Sequence, residues 1–169
     1  GEQVTSTFIM PISPGGFISD RSRPWQSFTS IGDGYLTEVI LESIGRFDSI
    51  ADECFGGDQE SGDIIIYEGE GLSGNVLLNE RYSYDECAFE SAEDIPIDIT
   101  DVTLEKGDVF TIYFDNTLMR LGITGGGDPY PDGRSSTNSD REFMINLEYD
   151  LTEGGVTFPD GSVQTTALN

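Results

Sequence analysis

Apolar residues recur at every second position over several stretches of this chain. Ile95, Ile97 and Ile99 alternate with Pro96, Asp98 and Thr100, and Phe143, Ile145, Leu147 and Tyr149 alternate with Met144, Asn146 and Glu148. A period of two puts alternate side chains on opposite faces of an extended backbone, so both stretches predict half-buried β-strands. Phe110, Ile112 and Phe114 give a third. Further strands are predicted at Trp25 to Ile31, Tyr35 to Arg46, Gly62 to Glu68, Val76 to Tyr84 and Met119 to Ile123. Between them lie Gly-Asp-Gly, Gly-Glu-Gly, Lys-Gly-Asp and Asp-Gly, sequences that supply positive φ or side-chain-capped turns. No convincing amphipathic helix interrupts the series; at most a turn or two is expected over Ser49 to Phe55. Many short strands with frequent turns predict an all-β fold, an antiparallel β-sandwich of the jelly-roll kind.

Two loops stand apart by composition. Asp48 to Asp63 collects acids around Gly56 and Gly57, and Gly125 to Asp140 collects Asp128, Asp132, Asn138 and Asp140 among Gly, Pro and Ser. Loops this long in a small sandwich are functional or disordered. The ends differ from the middle, so the expected organisation is an N-terminal extension over 1–19, the sandwich over 20–150 and a C-terminal hairpin extension over 151–169.

Composition narrows the chemistry. The 169 residues carry a net charge of −24 and no histidine. A charge of that sign repels nucleic-acid phosphates and anionic lipid headgroups, so neither nucleic acid nor membrane insertion is expected. It suits divalent cations and a salty extracellular setting, where screening mutes self-repulsion. Without imidazole there is no Ser-His or Cys-His nucleophile pair and no histidine metal ligand. Carboxylate chemistry remains open, since a glycosidase needs only two carboxyl groups. No Walker or dinucleotide glycine pattern occurs, no apolar run approaches a membrane span, and no secretory signal pattern opens the chain.

Three sets of residues carry candidate chemistry. Asp128, Asp132, Asn138 and Asp140 supply the hard oxygens that calcium takes, without the EF-hand spacing; a solvated acidic loop is the other reading. Asp58, Glu60 and Asp63 are a second choice. Tyr130, between two prolines in a polar loop, is expected to be exposed, and Tyr82 and Tyr84 share one strand face; such rings hold the C–H face of a sugar. Trp25 reads either as core or as a platform. Arg134 and Arg141 either clamp an acidic glycan or neutralise Asp132 and Asp140. Cys54 and Cys87, each in an Asp-Glu-Cys triplet, are either one disulfide, worth about 3 to 4 kcal/mol by loop closure, or two free buried thiols.

The segment Thr157-Phe158-Pro159-Asp160-Gly161-Ser162-Val163-Gln164-Thr165-Thr166-Ala167 resembles the short Phe-Pro-Asp-Gly-Thr-x-Gln-Thr-Thr-Ala element of phage tail fibres and related fibrous trimers, departing from it at Ser162. The centre resembles bacterial and phage surface β-sandwich modules through Gln26-Ser27-Phe28-Thr29, Gly34-Tyr35-Leu36-Thr37, Ile66 to Gly74 and Leu104 to Ile112. The insert bearing Cys54 and the acid load depart from that pattern. These likenesses imply a virion tail or bacterial cell surface, a homotrimer, and a polysaccharide or glycoprotein receptor. The expected function is therefore non-enzymatic recognition, with calcium shaping the loops. The rivals are a purely structural fibre protein and a carboxylate glycosidase.

Overall fold

The computed structural model describes residues 3–11, 17–18, 24–42, 59–85, 94–115, 122–124, 126–137, 141–152 and 166–167. The strands, in chain order, are β1 (Val4–Phe8), β2 (Phe17–Ile18), β3 (Trp25–Thr29), β4 (Gly34–Leu41), β5 (Gln59–Glu68), β6 (Val76–Asp85), β7 (Ile95–Leu104), β8 (Val109–Asp115), β9 (Gly122–Ile123), β10 (Ile145–Leu151) and β11 (Thr166–Ala167). Among the described residues there is no helix. The short helix expected over 49–55 lies outside them, as do Cys54 and Cys87.

Two antiparallel sheets form a β-sandwich. One has the order β11-β1-β10-β4-β7 and the other β3-β8-β5-β6, while β2 and β9 make a small separate pair. The alternation seen in the sequence explains why they stack. Phe28, Ile64, Ile66, Phe110, Ile112 and Phe114 turn inward from the four-stranded sheet, and Leu36, Val39, Leu41, Leu147, Tyr149 and Leu151 turn inward from the other; all are buried. Burying each large apolar side chain contributes about 1.5 to 3 kcal/mol. Phe28 stacks on Phe110 with ring centroids 5.6 Å apart, and Phe8 meets Phe28 edge-on at 6.1 Å. Along the β6–β7 flank Glu80 ties the sheets together: Thr100 donates to its two carboxylate oxygens from the backbone N at 2.8 Å and from Oγ1 at 2.6 Å.

Two expectations need correction. The N-terminal stretch is not wholly an extension, because β1 pairs with β10 from Val4↔Leu151 to Phe8↔Leu147, and Phe8 and Met10 are core residues. The short alternation Val4, Ser6, Phe8 is the signal, masked by the Pro- and Gly-rich residues that follow it. The acidic loop expected to reach Asp63 stops earlier, because β5 pairs with β6 from Gln59↔Asp85 onward. Thr166 and Ala167, the end of the fibre-like element, lie antiparallel against Thr5 and Val4; residues 153–165 lie outside the described residues.

The turns follow their composition. Gly69 and Gly71 take φ of 78° and 88° in the Gly-Glu-Gly turn, and Gly107 takes 92° in the Lys-Gly-Asp turn. These conformations are the ones a side chain resists.

Candidate functional site

The outer face of the four-stranded sheet collects aromatic residues. Register places Trp25 (β3) opposite Tyr113 (β8), Tyr113 opposite Ile65 (β5), and Ile65 opposite Asn79 (β6), a single row crossing all four strands. Tyr67 belongs to the next row, opposite Thr111. Trp25, Ile65, Tyr67 and Tyr113 are all half-buried, on the side of the sheet that faces away from the core. Four strands at about 4.8 Å spacing make this row about 14 Å long.

The face has a border. At one end Arg81 Nη1 stands 3.8 Å from Asp63 Oδ1, with Asp115 opposite Asp63. At the β3 edge Arg134 carries its guanidinium carbon 5.8 Å from the Trp25 ring centroid and its Nε 3.8 Å from Glu70 Oε2. Glu70 sits on the Gly69–Gly71 turn, which folds over Thr111: Gly71 N donates to Thr111 Oγ1 at 2.9 Å, and that hydroxyl donates to Gly69 O at 2.7 Å. Ser27 Oγ donates to Glu70 Oε1 at 3.4 Å. Ser27 and Thr111 are thereby buried although they lie on the outer face.

Arg134 is held by its backbone. Residues 130–136 run along the free edge of β3: Ser27 N donates to Arg134 O at 2.8 Å, Ser136 N to Trp25 O at 2.9 Å, and Arg134 N to Ser27 Oγ at 2.8 Å. Tyr130 anchors the strip, its hydroxyl accepting from Thr29 N at 2.9 Å and its ring 5.0 Å from that of Phe8. Gly133 is required here, since a Cβ would collide with the Ser27 carbonyl oxygen and the Tyr130 ring. An edge strand covered this way cannot template pairing with another chain.

The sequence-predicted residues therefore fare differently. Trp25 and Arg134 come together. Tyr130 is not exposed: it is 2% accessible, and burial pushes its hydroxyl up to about 12. A proline-flanked tyrosine in a polar loop looked solvent-facing because the loop's docking on β3 has no local signature. Tyr82 is also buried, packed edge-on against Phe114 at 5.5 Å, so it belongs to the core and not to a surface stripe. The Tyr84 side chain lies outside the described residues. Tyr67, Tyr113 and Ile65 were missed. Their signal was present, since in Ile64-Ile65-Ile66-Tyr67 and Ile112-Tyr113-Phe114 the apolar residues continue through the outward positions.

Of the candidate calcium ligands, Asp128 is half-buried with φ of 52°, and its Oδ1 is buried without a hydrogen-bond partner among the described residues. Asp132 is exposed, and its carbonyl accepts from Thr29 Oγ1 at 2.7 Å. Asn138 and Asp140 lie outside the described residues. Among the described residues no three acidic or thiol side chains converge as a metal-ligand group. The orphaned oxygen of Asp128 fits a cation.

The opposite outer face, on the five-stranded sheet, differs in kind. Glu148 (β10) lies opposite Glu38 (β4), and Glu38 opposite Asp98 (β7). Both ladders shift register beside Glu38. That bulge lets Leu36 and Val39 both face the core while Glu38 stays outside with the other two carboxylates. Desolvation, a hydrogen bond to Asp98 and the nearby charge of Glu148 push the Glu38 carboxyl up to about 7.

No protein-family model matches this chain, and no curated protein matches it in sequence.

Proposed function

We propose that this chain is a non-enzymatic recognition module that binds a glycan on the outer face of its four-stranded sheet. The observation that carries this is the row Trp25, Tyr113, Ile65 with Tyr67 beside it, half-buried and bordered by Arg134, Glu70, Arg81 and Asp63. Flat aromatic faces bury the C–H side of a pyranose while charged and amide groups at the border take its hydroxyls. The apolar part of the row crosses three strands and is about 10 Å long, room for about two sugar rings.

Strand pairing supports the jelly-roll form of the sandwich. Setting aside the two-residue strands, the first pairs with the last (β1 with β10), the second with the second-last (β3 with β8), then β4 with β7 and β5 with β6. That is the pattern of one long antiparallel ribbon wound into two sheets, as in capsid and lectin domains. The fibre-like C-terminal element supports a homotrimer on a virion tail or bacterial cell surface, with a polysaccharide or glycoprotein receptor.

Trp25 is the only tryptophan in the chain. Its emission therefore reports on this face alone. Titration across a glycan panel is expected to shift that emission with at least one oligosaccharide, and a panel that leaves it unchanged overturns the reading. A monomer mass by light scattering overturns the trimer. Calcium is part of the proposal through Asp128: millimolar calcium is expected to raise the melting temperature and a chelator to lower it, and coincident melting curves remove the metal.

A further inference from the structure

We infer that the glycan unit seated on Trp25 carries a carboxylate, and that Arg134 is the residue that selects it. The inference rests on the proposed glycan-binding face and goes further by naming the ligand's chemistry.

The Arg134 guanidinium has donors to spare. Its partners among the described residues are the Trp25 ring at 5.8 Å and Glu70 at 3.8 Å, a separation too long for a hydrogen bond. A planar fork of five donors thus stands beside an aromatic ring with its hydrogen-bonding capacity directed to solvent. A pyranose stacked on the ring brings the substituents at its rim to this fork, and a carboxylate is the group whose geometry fills it two bonds at a time.

Glu70 is a replaceable partner. Both side chains of the pair are about half exposed, at 52% and 47%, and such a pair is held weakly. Glu70 keeps its contact with Ser27 Oγ at 3.4 Å when the guanidinium turns to another anion. The backbone of Arg134 does not have to move, because Ser27 holds both its N and its O.

The placement of the basic residues favours the same ligand. On a chain of net charge −24, β1, β4, β7 and β10 contain neither lysine nor arginine, while Arg81 and Arg134 both border the aromatic face. Long-range repulsion from the remaining acids is screened beyond about 8 Å at physiological ionic strength, so the local cation decides what the ring accepts.

The test uses the full chain, Trp25 emission and matched oligosaccharide pairs that differ only in whether C6 bears a hydroxyl or a carboxylate. Uronate-bearing members are expected to bind more tightly. Arg134→Gln is expected to weaken them about ten- to a hundredfold and the neutral members, which lose a hydroxyl contact and no charge pair, by a smaller factor, so that the preference for the uronate collapses. Arg134→Lys, which keeps the charge and loses the fork, is expected to recover only part of that affinity. Unchanged melting temperatures for both variants exclude misfolding. Equal affinity for both members of every pair, or indifference to Arg134→Gln, overturns this inference and leaves the glycan-binding face standing. Silence across the whole panel overturns both.

Discussion

The two outer faces of this sandwich are built on the same alternation and serve opposite ends. On the four-stranded sheet the outward positions hold Trp25, Tyr113, Ile65 and Tyr67 with charges of both signs at the border. On the five-stranded sheet they hold Glu148, Glu38 and Asp98 in line, flanked by single half-buried Tyr35 and Ile40 in the adjoining rows, with no basic residue in its four long strands. Apolar residues left outward on a strand gain nothing from the core, so they point to contact with something else. Aligned carboxylates point the other way. They repel a second acidic surface and keep that face wet.

The largest effect that would separate the faces is on binding. Trp25→Ala is expected to weaken glycan binding about a hundredfold, by the loss of ring stacking and its buried area. Glu38→Gln and Asp98→Asn are expected to leave it unchanged, with calorimetry as the readout. Equal losses from both faces would erase the distinction between them.

The next effect tests the seam between the sheets. Glu80→Ala removes both bonds from Thr100 and is expected to cost about 1 to 2 kcal/mol in chemical denaturation. Glycan affinity is expected to stay constant, since Glu80 lies on neither face's row.

The smallest effect is specific to the acidic face. The Glu38 carboxyl is raised from an ordinary 4.5 to about 7 in the folded protein, so the folded state holds a proton that the unfolded state has released. Its contribution to stability is whole below pH 4.5 and is lost as pH rises through 7. The full shift corresponds to about 3 kcal/mol, and partial exposure reduces this to about 1 kcal/mol. Melting temperature is therefore expected to fall between pH 5 and pH 8, and Glu38→Gln to flatten that slope. An unchanged slope in the variant would assign the pH dependence elsewhere.

The strands were legible because alternation is local. Ile95 to Thr100 and Phe143 to Tyr149 announced β7 and β10 directly, and the Lys106-Gly107-Asp108 turn was readable from its glycine. The site was legible only in part. Trp25 and Arg134 stand far apart in the chain and meet through backbone bonds between β3 and residues 134–136, which no pattern in either segment encodes. Tyr130 misled for the same reason: its burial is produced by Phe8 and Thr29, from two distant strands. β1 was missed because a five-residue alternation is too short to outweigh the prolines and glycines after it.

The strip that seals β3 also bears on how such a molecule can change over generations. It grips the sheet through main-chain atoms, Ser27, the buried Tyr130 and Ser136, whose Oγ accepts from Trp25 N at 3.1 Å, whereas the Arg134 side chain projects outward and holds no part of the core. Substitutions at Arg134 alter what the ring beside it will accept without touching the scaffold beneath. New ligand preferences can therefore arise by single steps, with the architecture carried along unaltered.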